Sequence, residues 1–194
     1  MMKRTILYCL FTVMALGRTW SLDWSLGFNS DNPDAAGKSF SRPFNLRDGD
    51  ALRILIQSET PTYCYVVAVD SENNAAVLER TELEKGEWTA VGPLILTPPG
   101  GQEIFYIVMS STPQRALDSR LGVLMSRGES RTAMEDAVNE ILRIRREVSQ
   151  LREQPEMPVS MGGSFRGGEF DLSWESAYKY SGAECYVKSI IIRH

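Results

Sequence analysis

Across residues 46–110 short apolar runs alternate with clusters of turn formers, and that pattern predicts strands. In 51–57, Leu52, Ile54 and Ile56 share one face while Arg53, Leu55 and Gln57 share the other, the mark of a half-buried strand. The run 63–69 is apolar on both faces, which predicts a central strand covered on both sides. Residues 75–78, 93–97 and 103–109 complete the set. Phe40, Phe44 and Leu46 fall in even steps and suggest an earlier strand, with Pro43 placing it at an edge. Asp48 and Gly49, Glu59 to Pro61, Asp70 to Asn74, and Pro98 to Gly101 supply the turns. Residues 22–37 carry so many turn formers that they read mainly as a loop, with Trp24 and Phe28 tucked against the sheet. Strands this short and this closely spaced predict an antiparallel β-sandwich rather than alternating βαβ units.

From residue 112 the period lengthens. Thr112 and Pro113 have the form of a helix start, and Ala116, Leu117, Leu121 and Leu124 follow at helical spacing until Gly128. Ser130 and a capping box from Thr132 to Glu135 open a second helix. Ala137, Ile141, Ile144, Val148 and Leu151 then form a heptad-like stripe flanked by Glu140, Arg143, Arg146, Glu147 and Arg152. Two readings of the stripe stand: a helix packed on the domain, or a short coiled coil with another subunit. On the second, Ile141, Ile144, Val148 and Leu151 contact a partner, and the 131–153 helix is a route to a homo-oligomer. Residues 154–168, with Pro155, Pro158 and two Gly-Gly pairs, predict a flexible linker. Strand character returns at 169–174 and at 184–192, and a C-terminal strand after a helix should return to the sheet. The predicted class is mainly β (α+β overall), a sandwich with appended helices. Its divisions are a leader at 1–21, a sandwich at 22–111, a helical segment at 112–153, the linker at 154–168 and closing strands at 169–194.

The N-terminus adds a location. Lys3 and Arg4, an apolar run over residues 6–16 and small residues after it make a secretory signal peptide, too short in its apolar part to span a bilayer comfortably. Cleavage fits after Gly17 or after Ser21, and Ser21 is preferred because Leu22 looks like the start of a mature chain. No other segment approaches membrane-spanning length. Removing 1–21 takes away Lys3, Arg4 and Arg18 and no acid, so the net charge moves from 21 minus 25, or −4, to 18 minus 25, or −7. An acidic chain is a poor general binder of nucleic acid or of anionic membrane. Composition is otherwise that of an ordinary globular protein, 43% hydrophobic and 24% charged, which excludes wholesale disorder. Cys64 and Cys185 remain after cleavage. In an exported protein they form either one disulfide, closing a loop and stabilising by about 4 kcal/mol, or two buried thiols.

Several of these stretches resemble the exported or membrane-associated proteins that carry the domain of unknown function 4384. The likeness lies in Leu46-Arg-Asp-Gly-Asp-Ala-Leu-Arg-Ile-Leu-Ile56 and Ser58-Glu-Thr-Pro-Thr-Tyr-Cys-Tyr-Val66. It continues through the Asp70 turn, Leu94-Ile-Leu-Thr-Pro-Pro-Gly-Gly101 and Ile104-Phe-Tyr-Ile-Val-Met-Ser110, and covers residues 38–115. The resemblance implies a β-sandwich module of the kind attached to peptidase, kinase or secretion-related domains, with no catalytic residues of its own. Here a helical segment, a linker and a C-terminal strand stand where such a domain would.

Candidate chemistry is thin. The one histidine, His194, is the last residue and predicts a solvated terminus, so Ser/His/Asp and Cys/His catalysis lack material. Two distant cysteines and one histidine make no zinc site. Asp70, Glu72 and Asn74 resemble a calcium loop only in part, since Ala75 stands where its glycine belongs, and a polar hairpin tip is the better reading. Residues 162–168 are glycine-rich but lack the lysine of a phosphate loop. Tyr63, Tyr65, Phe105 and Tyr106 are core residues or the lining of a groove. The expectation is an exported, non-enzymatic module of the cell envelope, without a cofactor, that binds a protein partner or plays a structural part. The alternative is a glycan- or small-ligand-binding sandwich, in its hydrolytic form using the acidic loop 79–87.

Overall fold

A computed structural model describes residues 22–30, 40, 42–128, 130–148, 157–159, 165–166 and 176–194. Its strands are β1 (Leu22–Ser30), β2 (Phe44–Asn45), β3 (Ala51–Ser58), β4 (Thr62–Val69), β5 (Ala75–Leu83), β6 (Trp88–Ile95) and β7 (Gln102–Ser110). Two helices follow, α1 (Arg115–Arg127) and α2 (Arg131–Val148). The chain ends in β8 (Met157–Val159), β9 (Phe165–Arg166), β10 (Ser176–Gly182) and β11 (Cys185–Arg193). One sheet runs β8-β10-β1-β3-β6-β9 and the other β2-β11-β7-β4-β5. Only β6–β9 and β2–β11 pair in parallel among the described strands.

The period-2 patterns explain the layers. Leu52, Ile54 and Ile56 of β3 meet Cys64 and Val66 of β4 and Phe105, Ile107 and Met109 of β7 in the core between the sheets. The alternate residues Tyr65, Val67, Tyr106 and Val108 point the other way, into a second core beneath the helices. Strands β4 and β7 are therefore buried on both faces, which is why their sequences are nearly continuous apolar runs. The mainly β sandwich is as expected, with both helices on the outer face of the second sheet.

Several elements differ from expectation. Residues 22–30 are not a loop but β1, paired with β3 on one side and β10 on the other. Leu22, Trp24, Leu26 and Phe28 all enter the intersheet core. Strand β5 continues through Leu83, and β6 starts at Trp88 in the other sheet, so 79–83 is edge strand rather than acidic loop and only 84–87 connects the two sheets. Inside 154–168, expected as a linker, β8 and β9 pair with β10 and β6. Helix α2 starts at Arg131, so Thr132 is already helical, and Met134 N–H donates to the Ser130 carbonyl (3.0 Å). The leader at 1–21 and the strand expected at 169–174 lie outside the described residues.

Candidate functional site

The helices are fastened to the sheet by their polar ends as well as their apolar faces. Leu117, Leu121 and Leu124 recur on one side of α1 and are buried in the second core. At its start the Gln114 N–H donates to the Tyr65 phenol oxygen (3.1 Å), and Gln114 Nε2 donates to Ser110 Oγ (2.8 Å). The Tyr65 hydroxyl lies 3.4 Å from Asp118 Oδ2, and Arg80 Nε is 2.7 Å from Asp118 Oδ1. Asp118 is an acid in the first turn, where the helix dipole favours it. Burial, reinforced by the Asp118 carboxylate, raises the Tyr65 pKa above the usual phenol value. At the other end Gly128, at φ 57°, closes α1 with its N–H on the Leu124 carbonyl (3.0 Å). The next turn leads straight into α2.

This short connection leaves a groove. Where the end of α1, the start of α2 and the tip of the β4–β5 hairpin meet, a cavity of about 760 Å³ is lined by Glu72, Asn74, Val77, Leu124, Met125 and Met134, among others. A second cavity of about 350 Å³ adjoins it, sharing Met134 and adding Asn73, Arg131, Glu135 and Val138. Val123 and Met125 are 39% and 63% exposed, two of the three large apolar side chains exposed among the described residues. The lining is apolar and sulfur-bearing at the helix end and polar at the hairpin tip.

The partner-contact residues expected from the stripe lie elsewhere. Ile141 and Ile144 are buried in the second core and Val148 is half-buried against it, while Leu151 lies outside the described residues. The packed-helix reading of the stripe is therefore the structural one, and a partner reaches Ile141 or Ile144 only by lifting α2 off the sheet. What α2 turns outward includes the ion pairs Arg131–Glu135 and Arg143–Glu147, not an apolar seam for a coiled coil. Glu140 is nearly buried, bonded to Arg143 (2.6 Å) and 3.6 Å from Arg120 of α1. The Arg143 hydrogen bond, with the charges of Arg143 and Arg120, holds its carboxyl below the usual range against the opposing effect of burial.

The cysteine pair is likewise excluded by geometry. Cys64 on β4 faces the intersheet core and Cys185 on β11 the helical core, with β7 between the two strands. Strands two apart are separated by roughly 9.5 Å, beyond disulfide reach even without the opposed faces. Both are free buried thiols, and burial raises the pKa of each, that of Cys185 to about 11. Such thiols are inert.

The remaining candidates resolve into structural parts. Asp70 turns its carboxylate back onto its own hairpin, accepting from the N–H groups of Glu72 (2.9 Å) and Asn74 (2.8 Å) and from Asn74 Nδ2 (2.8 Å). That is an Asx-type turn. Tyr65 and Tyr106 belong to the helical core, Phe105 to the intersheet core, and Tyr63 is half-buried at the edge of the helical one, so the four do not share a groove. Among the described residues no group of three His, Cys, Asp or Glu side chains is placed to hold a metal ion, and no helix is long and apolar enough to cross a membrane.

His194 is the residue sequence reasoning placed worst. It is not solvated but pinned: it exchanges two backbone hydrogen bonds with Gly101 (2.8 and 3.1 Å), and its side chain is 1% exposed. Nδ1 lies 2.6 Å from Asp48 Oδ1 and Nε2 lies 3.3 Å from Glu103 Oε1. A Cβ on Gly100 would lie 2.7 Å from the His194 carbonyl oxygen, so the Pro-Pro-Gly-Gly turn is shaped to this closure. With both ring nitrogens engaged, the group is a latch between the ends of three strands.

Comparison with protein-family models, with curated proteins and with solved structures finds no match.

Proposed function

We propose that this chain is an exported, non-enzymatic module that binds a protein partner in the cell envelope through the groove between α1, α2 and the β4–β5 hairpin. The observation that carries this reading is the coincidence of a cavity of about 760 Å³ with exposed Met125 in its α1 wall, Val123 being exposed two residues away on the same helix. Exposed apolar side chains beside a concavity are where a soluble fold meets a partner. Methionine suits such a surface because its unbranched thioether adapts to the shape offered. The occupant that fits is a segment of another protein carrying an apolar anchor, with the polar hairpin tip as the rim. Export is inferred from the residue 1–21 pattern.

The test is cross-linking in intact cells, recovery through a tag placed away from His194, and mass spectrometry, run in parallel on the wild type and on Met125→Asp. Met125 is exposed, so the variant should unfold at the wild-type temperature. One envelope protein enriched with the wild type and lost with Met125→Asp is the expected result. Equal recovery with both, or recovery of the chain alone, overturns the reading.

A further inference from the structure

We propose that the outer edge of β11 at Val187 and Ser189 is a docking edge for an extended, acidic polypeptide segment. This site lies apart from the groove and stands on different observations. Ser111 N–H donates to the Glu184 carbonyl (2.9 Å), and His194 exchanges both its backbone bonds with Gly101. These pairs lie in register with the β7–β11 ladder, so the even-numbered residues of β11 bond β7. The odd-numbered residues turn their N–H and C=O groups to the other side, as Arg193 does in accepting from Leu46 N–H (2.9 Å). Strand β2 covers that side only at Ile192 and Arg193. Pro43, just before β2, has no N–H with which to carry the ladder further back. Among the described residues, then, no strand pairs the outward backbone groups of Val187 and Ser189, and they face a cavity of about 230 Å³.

The walls of that cavity select the occupant. Arg42 lines it, and Arg145 of α2 reaches in to donate to Ser189 Oγ (2.9 Å), while the Lys188 side chain turns to the intersheet face, its ammonium 5.0 Å from the Tyr180 ring. No carboxylate is among its lining residues. In a chain of net charge −4 a slot with the two guanidinium residues Arg42 and Arg145 and no acid among its lining residues is a local reversal of sign. A free anion would meet the guanidinium groups and the N–H groups but would be repelled by the carbonyls alternating with them. An extended peptide answers both, donor to acceptor, as an added strand does. Residues opposite one another on paired strands share a face. The partner residue facing Ser189 therefore projects its side chain beside Arg145, where a carboxylate fits. A second copy pairing through this edge would bring Arg145 toward cations instead, which disfavours self-association.

The opposite edge of the same sheet shows what a closed edge looks like. Strand β5 carries Glu79, Arg80 and Glu82 and has a bulge at Leu78, devices that block strand addition. On the open stretch of β11, Val187 and Ser189 are uncharged and the intervening Lys188 turns its ammonium to the intersheet face.

The experiment uses the leaderless chain and three fluorescein-labelled synthetic peptides read by anisotropy. One alternates Glu and Val, one alternates Lys and Val, and one is the Glu-Val peptide with alternate backbone nitrogens methylated. The unmodified Glu-Val peptide should bind tightest, and the other two should bind about tenfold or more weakly. Arg145→Glu should weaken the Glu-Val peptide by a similar factor, while Met125→Asp should leave it unchanged. Thermal unfolding confirms that both variants are folded. Equal binding of the methylated peptide would reduce the site to a basic patch and overturn the proposal, as would failure of the Glu-Val peptide to bind. Loss of binding in Met125→Asp would move the site to the groove, and cross-linking results for that groove stand or fall separately.

Discussion

At the scale of single residues, the polar groups that matter are the ones that join layers. Tyr65 spans the interface between sheet and helices, with its ring buried in the second core and its oxygen accepting the Gln114 N–H. That N–H belongs to the start of α1, where backbone donors have no partner within the helix. Tyr65→Phe keeps the ring and removes the oxygen, leaving one such donor unanswered and Asp118 without its phenol contact. The expected cost is about 1–2 kcal/mol, measured as a lower urea midpoint with an unchanged slope. An unchanged midpoint would show that water replaces the phenol there without loss. His194 teaches a related lesson about reading sequences. Its environment is set by Asp48, Gly101 and Glu103, all some 90 or more positions earlier, so nothing local to residue 194 signals burial.

At the scale of elements, legibility followed the number of buried faces. Strands β3, β4, β7 and β11 and helices α1 and α2 carry strong periodic or continuous apolar signals, and all six lie close to where the pattern predicted. Strand β5 was cut short because its outer half carries Glu79, Arg80 and Glu82. Charge on an edge strand is protection against pairing, and from sequence alone it looks like a loop. The α1–α2 joint has its own pH signature. Glu140, ionised in the folded state and tied to Arg143 and Arg120, has a depressed pKa. Its contribution is complete above its unfolded value near 4.5 and is lost as pH falls through the lower folded value. Its partners are partly exposed, which screens the pair, so the contribution at neutral pH is about 1 kcal/mol. Glu140→Gln should therefore melt below wild type at pH 7, and the two melting curves should converge on acidification below pH 4.5. A constant gap between them would assign the loss to packing instead.

At the scale of the whole molecule, the decisive element is the one the turn-rich composition concealed. The even-step series Leu22, Trp24, Leu26, Phe28 was present in the sequence, but the polar run after Phe28 outweighed it. Strand β1 sits inside the first sheet, pairing β3 over seven positions and β10 over seven. Trp24 stacks on Tyr180 of β10 at 4.8 Å and meets Tyr186 of β11 edge-on at 5.5 Å, so one side chain ties the C-terminal strands of both sheets to the N-terminus. A chain beginning at Leu22 should fold with a single cooperative transition. One beginning at residue 31 loses the strand that joins β10 to β3 and a core tryptophan whose truncation alone costs about 3–5 kcal/mol. Against the typical stability of a domain, about 5–15 kcal/mol, losing the whole strand is more than the fold can absorb. Circular dichroism and calorimetry of the two chains decide this: a cooperative melt in the shorter one would mean that β10 pairs β3 directly and that β1 is an addition to the sandwich rather than its keystone.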